Sequence, residues 1–167
     1  LGAVVASKHV VDAIAEGSGA FVHGFTYNAH PVSVAAGRCV LKRICDGKLV
    51  CAADSDAVRG AGSSLKIGLS SLRGCRSVGD VRGIGLLWAV EFVRDKGSKE
   101  PFAPDAGFSA RVAESASRKG LLLYPMQGCV DGISGDHVLI APPAVITGEE
   151  IEWAVSRFRE AIDEAET

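Results

Sequence analysis

The spacing of apolar residues predicts helices and strands in alternation along the chain. The apolar run at residues 1–7 predicts a buried strand, and the three- or four-residue spacing that follows predicts a short helix ending before Gly17. A second helix is predicted from Pro31 to about Asp46, with small residues in its N-terminal half and Leu and Ile in its C-terminal half. A third is predicted over residues 54–73, although three glycines weaken it.

The pattern changes after Cys75. Residues 77–95 are rich in β-branched and aromatic side chains, with glycines at 79, 83 and 85, which predicts two strands joined or bulged at the glycines. Four more elements are predicted: a helix at 103–120, a strand at 121–126, a strand at 137–146 stopped by Pro142, and a last helix opened by the capping box Thr147 to Glu150. This order predicts an α/β chain whose C-terminal part is an α+β domain, with helices packed on a small, mostly antiparallel sheet.

Composition narrows the class of protein. Apolar residues make up 47% of the 167 residues against 23% charged, so the chain can bury a core. A net charge of −2 gives no reason to expect a nucleic acid or an anionic membrane as partner. No apolar run approaches the roughly 18 residues of a membrane span, and no signal layout is seen at the N-terminus, so we expect a soluble, cytoplasmic protein. The odd number of cysteines without a C-x-x-C pair predicts free thiols, and the histidine spacing predicts no metal site.

The N-terminus indicates a missing part. The chain opens within an apolar run, and its only methionine is Met126. We therefore expect it to be the C-terminal portion of a longer protein.

A candidate anion site lies in "HGFTYNAHP", residues 23–31. Backbone N–H groups near Gly24 and Phe25, together with the Thr26 hydroxyl, are the donors that a phosphate needs before a helix. The same residues also suit a plain turn, with Thr26 as a local cap, and the spacing favours this alternative.

Two further segments leave alternatives open. "DVRGIGLLWAVEF", residues 80–92, lacks the third glycine of a dinucleotide fingerprint, which favours a bulge or tight turn, with Arg82 paired locally. The segment from Pro125 to Val138 carries Gln127, Asp136 and His137. A loop of this length is either functional or a solvated hairpin, and the residues favour neither.

Four motifs follow one another along the chain: "FVHGFTYNAHPVSVAAGRCVLKRI", "VGDVRGIGLLWAVEFVRDK", "GLLLYPMQG" and "HVLIAPPAVITGEEIEWAV". Their order resembles that of class III, pyridoxal-phosphate-dependent aminotransferases of fold type I, and the resemblance covers almost the whole chain. Glutamate semialdehyde aminomutases and dialkylglycine decarboxylase share this architecture.

The resemblance implies a domain organisation and a partner. Residues 1–45 are similar to the end of the cofactor-binding large domain with its linking helix, and residues 46–167 to the C-terminal small domain. The family is homodimeric, with a cofactor site shared between subunits. Its Schiff-base Lys is expected upstream of Leu1, so this chain is expected to hold no catalytic residue.

The resemblance also implies roles for three residues. Thr26 matches the Thr that reaches across the dimer to the phosphate of the neighbouring subunit's pyridoxal 5'-phosphate, with backbone at Phe25 helping. Tyr124 stands where many members place a carboxylate-binding Arg, as do Leu139 and Ile140 just before the final "APP", so no two-pronged clamp is expected at these positions. Tyr124 is then the candidate substrate-binding residue.

The implied function is amino transfer between an amine or amino acid and a keto acid, with these small molecules as partners. The chain alone, without the Lys, is expected to be inactive. The alternatives are an aminomutase or decarboxylase of the same superfamily, or a non-catalytic α/β binding module.

Overall fold

A computed structural model of the chain describes residues 2–46 and 56–167. The chain divides into two compact units, Leu1–Ala53 and Asp54–Thr167. The domain boundary between residues 45 and 46 stays a prediction. No helix of the described residues is long and apolar enough to cross a membrane.

The first unit contains two helices, as predicted: α1 at Lys8–Glu16 and α2 at Pro31–Asp46. The predicted strand at residues 1–7 is wrong for residues 2–7, which form no strand, and Leu1 lies outside the described residues. A strand needs a hydrogen-bonded neighbour, and none pairs with this segment among the described residues. Val4 and Val5 are each 96% exposed. None of the side chains described between residues 2 and 46 is buried, so this part of the chain has no hydrophobic core of its own.

The second unit contains the predicted order of elements in its described residues. Helix α3 spans Asp56–Ser71, strand β1 Val78–Ile84, strand β2 Leu87–Phe92, helix α4 Phe108–Arg118, strand β3 Tyr124–Met126, strand β4 Asp136–Ile140 and helix α5 Gly148–Ala165. Single turns of 3-10 helix follow α3 and precede α4, at Leu72–Gly74 and Pro104–Ala106. The start of the predicted third helix, residues 54 and 55, lies outside the described residues.

The described strands form one four-stranded antiparallel sheet in the order β1-β2-β4-β3, which confirms the predicted fold class. Val81, Val90 and Val138 lie opposite one another on neighbouring strands and are all buried. Because side chains alternate between the faces of a strand, their row marks the covered face of the sheet. The predicted strand at 121–126 is shortened to three residues, since only Tyr124–Met126 pair with β4.

Aromatic side chains join the covered face to the helices. Phe92 of β2 meets Phe108 of α4 edge-to-face, with ring centroids 5.2 Å apart, and Phe158 of α5 at 6.4 Å. All three are at most 1% exposed, and burying an aromatic side chain of this size stabilises a fold by roughly 2–3 kcal/mol. Helix α5 begins with the predicted capping box: Glu150 N donates to Thr147 Oγ1 at 3.2 Å, and Thr147 N to Glu150 Oε2 at 2.8 Å.

The β1–β2 connection is a two-residue turn, which agrees with the tight-turn interpretation of this glycine-rich segment. Ile84 pairs with Leu87, and Gly85 takes a φ of 58° as the first loop residue, a conformation that glycine adopts without strain. The indole N–H of Trp88 donates to Gly85 O at 2.8 Å and fastens the turn to the sheet.

Candidate functional site

The segment that precedes α2 forms a turn with exposed side chains. Asn28 N donates to Phe25 O at 3.0 Å, and His30 N donates to Tyr27 O at 3.3 Å. Helix α2 then begins at Pro31, whose fixed φ suits a first helical position, and Val34 N donates to His30 O at 2.9 Å. Thr26 and Phe25 therefore lie at the start of a turn that leads into the helix.

The donors at this turn are unused. The Thr26 hydroxyl has no hydrogen-bond partner among residues 2–46 and 56–167, and the backbone N–H groups of Phe25 and Thr26 find no acceptor there either. Both side chains are exposed. Thr26 is thus not a local cap within the described structure. A hydroxyl and two N–H groups that face solvent can bind an anion such as a phosphate.

Tyr124 lies on the second unit, in a row of residues that runs across the sheet. It pairs with Leu139 on β4, Leu139 with Ala89 on β2, and Ala89 with Arg82 on β1. Directly opposite residues share a face, so this row lies on the face opposite the buried valines. Tyr124 is 63% exposed. Tyr124 and Leu139, two of the positions where the resemblance implies an Arg, are therefore neighbours on the open face. Ile140 is the third such position; it pairs with Trp88 and lies on the other face.

Arg82 is the cation of this row, and it is paired locally, as the sequence predicted. It donates to Asp80 Oδ2 at 3.2 Å and also pairs with Glu91. The hydrogen bond to Glu91, opposed by partial burial and aided by Asp80, raises the pKa of Arg82 above its usual value. For Asp80, burial acts against ionisation, but hydrogen bonds from Arg82 and Arg73 lower its pKa overall. Arg82 therefore stays charged but has carboxylate partners already.

An apolar cleft of about 760 Å³ borders Tyr124 and Leu139. Side chains from α3, α5 and the segments before β3 and after β4 line it, among them Leu122, Pro142, Ile146 and Trp153. Among the described residues that line this cleft, the only charged one is Glu150. The surroundings of Tyr124 on this side therefore favour apolar groups over a carboxylate.

The segment between β3 and β4 is a hairpin loop with one buried polar anchor. Asp136, 0% exposed, accepts hydrogen bonds at Oδ1 from Ser109 N at 2.9 Å and from Ser109 Oγ at 2.8 Å. Gln127 Nε2 lies 3.3 Å from the same oxygen. Asp136 thus binds the first turn of α4, which has no side-chain cap of its own. Sequence reasoning missed this role, because the two partners lie 27 residues apart.

The other residues considered in the sequence analysis are His137 and the cysteines. His137 is half-buried on β4, and its Nδ1 has no hydrogen-bond partner among the described residues. Cys39, Cys75 and Cys129 are free thiols, and Cys51 lies outside the described residues. No group of His, Cys, Asp and Glu side chains in the described ranges has the geometry to hold a metal ion. Thr26 and Phe25 lie in the first unit and Tyr124 in the second.

The model of the class III aminotransferase family matches residues 1–162 of the chain. The chain is 38% identical to an aminotransferase of Gibberella zeae over 97% of its length and 31% of the relative's. It is 34% identical to an uncharacterized aminotransferase, YodT, of Bacillus subtilis, over 97% of its length and 36% of the relative's. A solved amine transaminase from an uncultivated Pseudomonas species, in its pyridoxal-phosphate-bound form, superposes with a TM-score of 0.76 at 29% identity, over 95% of this chain and 34% of the other. The chain therefore spans about a third of the length of the relatives that it matches.

Proposed function

The chain belongs to the class III aminotransferase family, and we propose that it forms part of an enzyme that transfers an amino group between an amine or amino acid and a keto acid. The names of its relatives, aminotransferases and transaminases, support this reaction over the aminomutase, decarboxylase and non-catalytic alternatives. The observation within the chain that carries the proposal is the exposed turn at Phe25 and Thr26, whose donors have no acceptor among the described residues. A cytoplasmic location stays a prediction.

The residues of this chain fit one group of pyridoxal phosphate, its phosphate. Thr26 supplies a hydroxyl donor, and Phe25 and Thr26 supply backbone N–H groups, which suits the dianionic phosphate. When bound, the cofactor supplies an aldehyde and an electron-withdrawing ring that accept and release the amino group. The role of this chain is to hold the phosphate and so fix the position of the ring. The Schiff-base Lys is proposed to come from the part of the fold that this chain does not span.

A homodimer with a shared cofactor site is the arrangement that we propose. The first unit supports it, because large apolar side chains around the turn are exposed: Phe21 is 70%, Val22 92% and Tyr27 76% exposed. Burying such side chains against another protein surface is favourable by about 25 cal/mol per Å². Thr26 lies among them, so a surface that covers this region also encloses the phosphate donors.

The proposed reaction is tested by comparing two proteins. A full-length aminotransferase that contains this chain is assayed with pyridoxal phosphate, alanine, ω-amines and keto acids, next to the 167-residue chain alone. We expect turnover from the full-length enzyme and none above background from the chain alone, since the Schiff-base Lys is proposed to lie in the part of the fold that the chain does not span. Specific turnover by the chain alone would show that the reaction does not need a Lys from outside this chain. An inactive full-length enzyme across the whole panel would contradict transamination.

Thr26→Ala in the full-length enzyme is expected to weaken retention of the cofactor by about 1–3 kcal/mol, the range of a hydrogen bond to a charged group. Cofactor released from the enzyme is measured by absorbance after dilution and gel filtration. Thr26→Ser keeps the hydroxyl and should retain most of the affinity. Equal retention by the Ala variant and the wild type would reject the phosphate contact. Mixed dimers, in which one subunit carries both Thr26→Ala and a substitution of the Schiff-base Lys, test whether the contact crosses the interface, because the cofactor in the intact subunit is then held less tightly only if its phosphate contact comes from the partner.

Tyr124 is proposed to face the substrate, and its variants should change substrate choice. A phenol donates one hydrogen bond and carries no positive charge near neutral pH, so a carboxylate there lacks the two-pronged contact that Arg makes. We therefore expect the part of the substrate next to Tyr124 to be less anionic than a carboxylate. The alternative is that a cation from the part of the enzyme that the chain does not span binds a carboxylate there.

Tyr124→Arg is therefore expected to raise kcat/KM for dicarboxylates relative to ω-amines by about tenfold, and Tyr124→Phe to leave that ratio within about threefold of wild type. Ile133→Ala, at an exposed position in the loop, is the matched control. If Tyr124→Arg leaves the ranking of ω-amines, monocarboxylates and dicarboxylates unchanged, Tyr124 does not face the substrate.

A further inference from the structure

We propose that a second cleft, at the C-terminal end of α5, binds a small organic anion. The cleft has a volume of about 290 Å³ and lies wholly within the unit Asp54–Thr167. None of its lining residues lines the apolar cleft beside Tyr124. The proposal does not rest on amino transfer, because neither Thr26 nor Tyr124 takes part in it.

Three arginines line this cleft: Arg76, Arg94 and Arg111. Two of them are fixed by the end of α5, since Arg76 Nη2 donates to Glu166 O at 2.7 Å and Arg111 Nη2 donates to Ala165 O at 2.9 Å. Each uses only this nitrogen: the other N–H groups of both side chains have no acceptor in the described part of the chain. Guanidinium groups that are held in place with free donors are suited to bind carboxylate or phosphate oxygens.

The acidic groups nearby are already engaged. Glu166, which also lines the cleft, accepts a hydrogen bond at Oε1 from Ser77 N at 2.6 Å. Glu100 pairs with Arg94 at 2.5 Å and is not among the lining residues. Counting Glu100, three guanidinium groups stand against two carboxylates. This leaves one excess positive charge for an anion, near the N–H donors of Arg76 and Arg111 that have no acceptor among the described residues.

A buried hydroxyl adds an independent sign of a ligand. Ser77 is 2% exposed, and its Oγ has no hydrogen-bond partner among the described residues. A buried polar group without a partner costs stability, so such groups are normally satisfied by protein, water or a bound molecule. Ser77 lines this cleft, where an oxyanion would provide the missing acceptor after a rotation of the hydroxyl about its Cα–Cβ bond.

The cleft also has an apolar wall, which sets the class of the ligand. Val93, Phe102 and Phe108 line it, and the rings of Phe102 and Phe108 stack with centroids 4.3 Å apart. The Arg111 guanidinium lies 5.4 Å from the centroid of the Phe108 ring, so it is supported by the same wall. A volume of about 290 Å³ holds more than a bare phosphate. Val93 and Phe108 are only 2% and 1% exposed, so the half-buried Phe102 is the side chain of this wall that a ligand can contact. The ligand that fits carries a phosphate or carboxylate group on a small, flat, apolar body.

Calorimetric titration of the full chain with phenyl phosphate, at an ionic strength held constant with sodium chloride, tests the proposal. We expect saturable 1:1 binding, and weaker binding of inorganic phosphate. Arg111→Gln and Arg76→Gln should each weaken the affinity for phenyl phosphate about tenfold or more, and Ser77→Ala about threefold. Arg157→Gln is the matched control, because Arg157 lies on α5 outside the cleft and pairs with Glu160 at 2.9 Å; it should bind as wild type does.

Arg94→Gln separates a loss of affinity from a loss of folding, since among the described residues Arg94 makes no hydrogen bond or ion pair to the end of α5 and pairs instead with Glu100. It should keep the thermal unfolding transition of the wild type and still lose affinity at least about threefold. The proposal is overturned if phenyl phosphate gives no saturable heat, if inorganic phosphate binds as tightly, or if the folded arginine variants bind like Arg157→Gln.

Discussion

Gly83→Val is expected to lower the free energy of unfolding of the chain by about 3 kcal/mol or more, because position 83 has no room for a side chain. Gly83 pairs with Trp88 across the β1–β2 hairpin. A Cβ at this position would lie 2.4 Å from Leu87 O, 2.5 Å from Trp88 Cδ2 and 2.7 Å from Trp88 Cα. Two of these atoms are backbone and cannot move without shifting β2, so the hairpin or the Trp88 ring must give way.

Urea unfolding of the full chain, followed by far-UV circular dichroism, measures this loss. Gly60→Ala is the matched control: Gly60 lies in α3, and a Cβ there meets no atom within 4 Å. Since alanine favours helix over glycine, this control should raise the free energy of unfolding by roughly 0.5–1 kcal/mol. A valine variant as stable as the wild type would mean that the hairpin adjusts at no cost and that the close packing of Trp88 on Gly83 is not needed.

The elements that the sequence predicted correctly are those with local signals. Helix α5 begins where Thr147 and Glu150 exchange hydrogen bonds three residues apart, and the β1–β2 turn forms at a glycine that takes a positive φ. Both signals lie within a few neighbouring residues, so they can be recognised without knowledge of the fold. The order of strands and helices in the second unit then limits the possible sheets to a few.

The errors arise where a partner distant in sequence decides the structure. Residues 2–7 are apolar enough for a buried strand, but no strand pairs with them among the described residues. Strand β3 is limited to the three residues that pair with β4. The apolar run that contains β3 is longer and starts at Leu121. An apolar pattern predicts the tendency to form a strand, while the neighbouring strand decides its length.

The candidate site shows the same limit. The residues around Thr26 suited both a phosphate site and a local cap, and spacing favoured the cap. The resemblance to a family favoured the phosphate contact, and the structure leaves the hydroxyl without a partner in its described residues. The proximity of Tyr124 to Leu139 follows from the β3–β4 register, which the sequence does not specify. The motifs of the sequence therefore singled out Thr26 and Tyr124 as site candidates. They did not show which residues lie next to them in the fold.

Asp136→Ala is expected to destabilise the chain by about 3 kcal/mol, close to the effect at Gly83 but for a different reason. The carboxylate is fully buried and accepts from Ser109 N at 2.9 Å and from Ser109 Oγ at 2.8 Å, and its removal leaves the buried N–H of Ser109 without this acceptor. Helix α4 would also lose the negative charge at its N-terminus, where Gly107 provides no side-chain cap. The Ser109 hydroxyl can still donate to Met126 O at 3.1 Å, so the loss should fall mainly on the first turn of α4.

The Asp136→Asn variant tests how much of the stability lost in Asp136→Ala is due to the charge and how much to the hydrogen bonds. An asparagine keeps an acceptor oxygen toward Ser109 but carries no charge, and its amide would replace Oδ2, which is buried without a partner among the described residues. We expect it to cost about 1–2 kcal/mol, between wild type and alanine. Asp131→Ala is the matched control, since Asp131 is exposed and accepts from Ile133 and Ser134 within its own loop; it should cost less than about 1 kcal/mol. These values come from urea unfolding, with hydrogen exchange at the first turn of α4 as a local readout. Two results would contradict this role of Asp136: a loss of stability in Asp136→Ala no larger than in Asp131→Ala, or unchanged hydrogen exchange in the first turn of α4. Either result would mean that Asp136 does not cap α4.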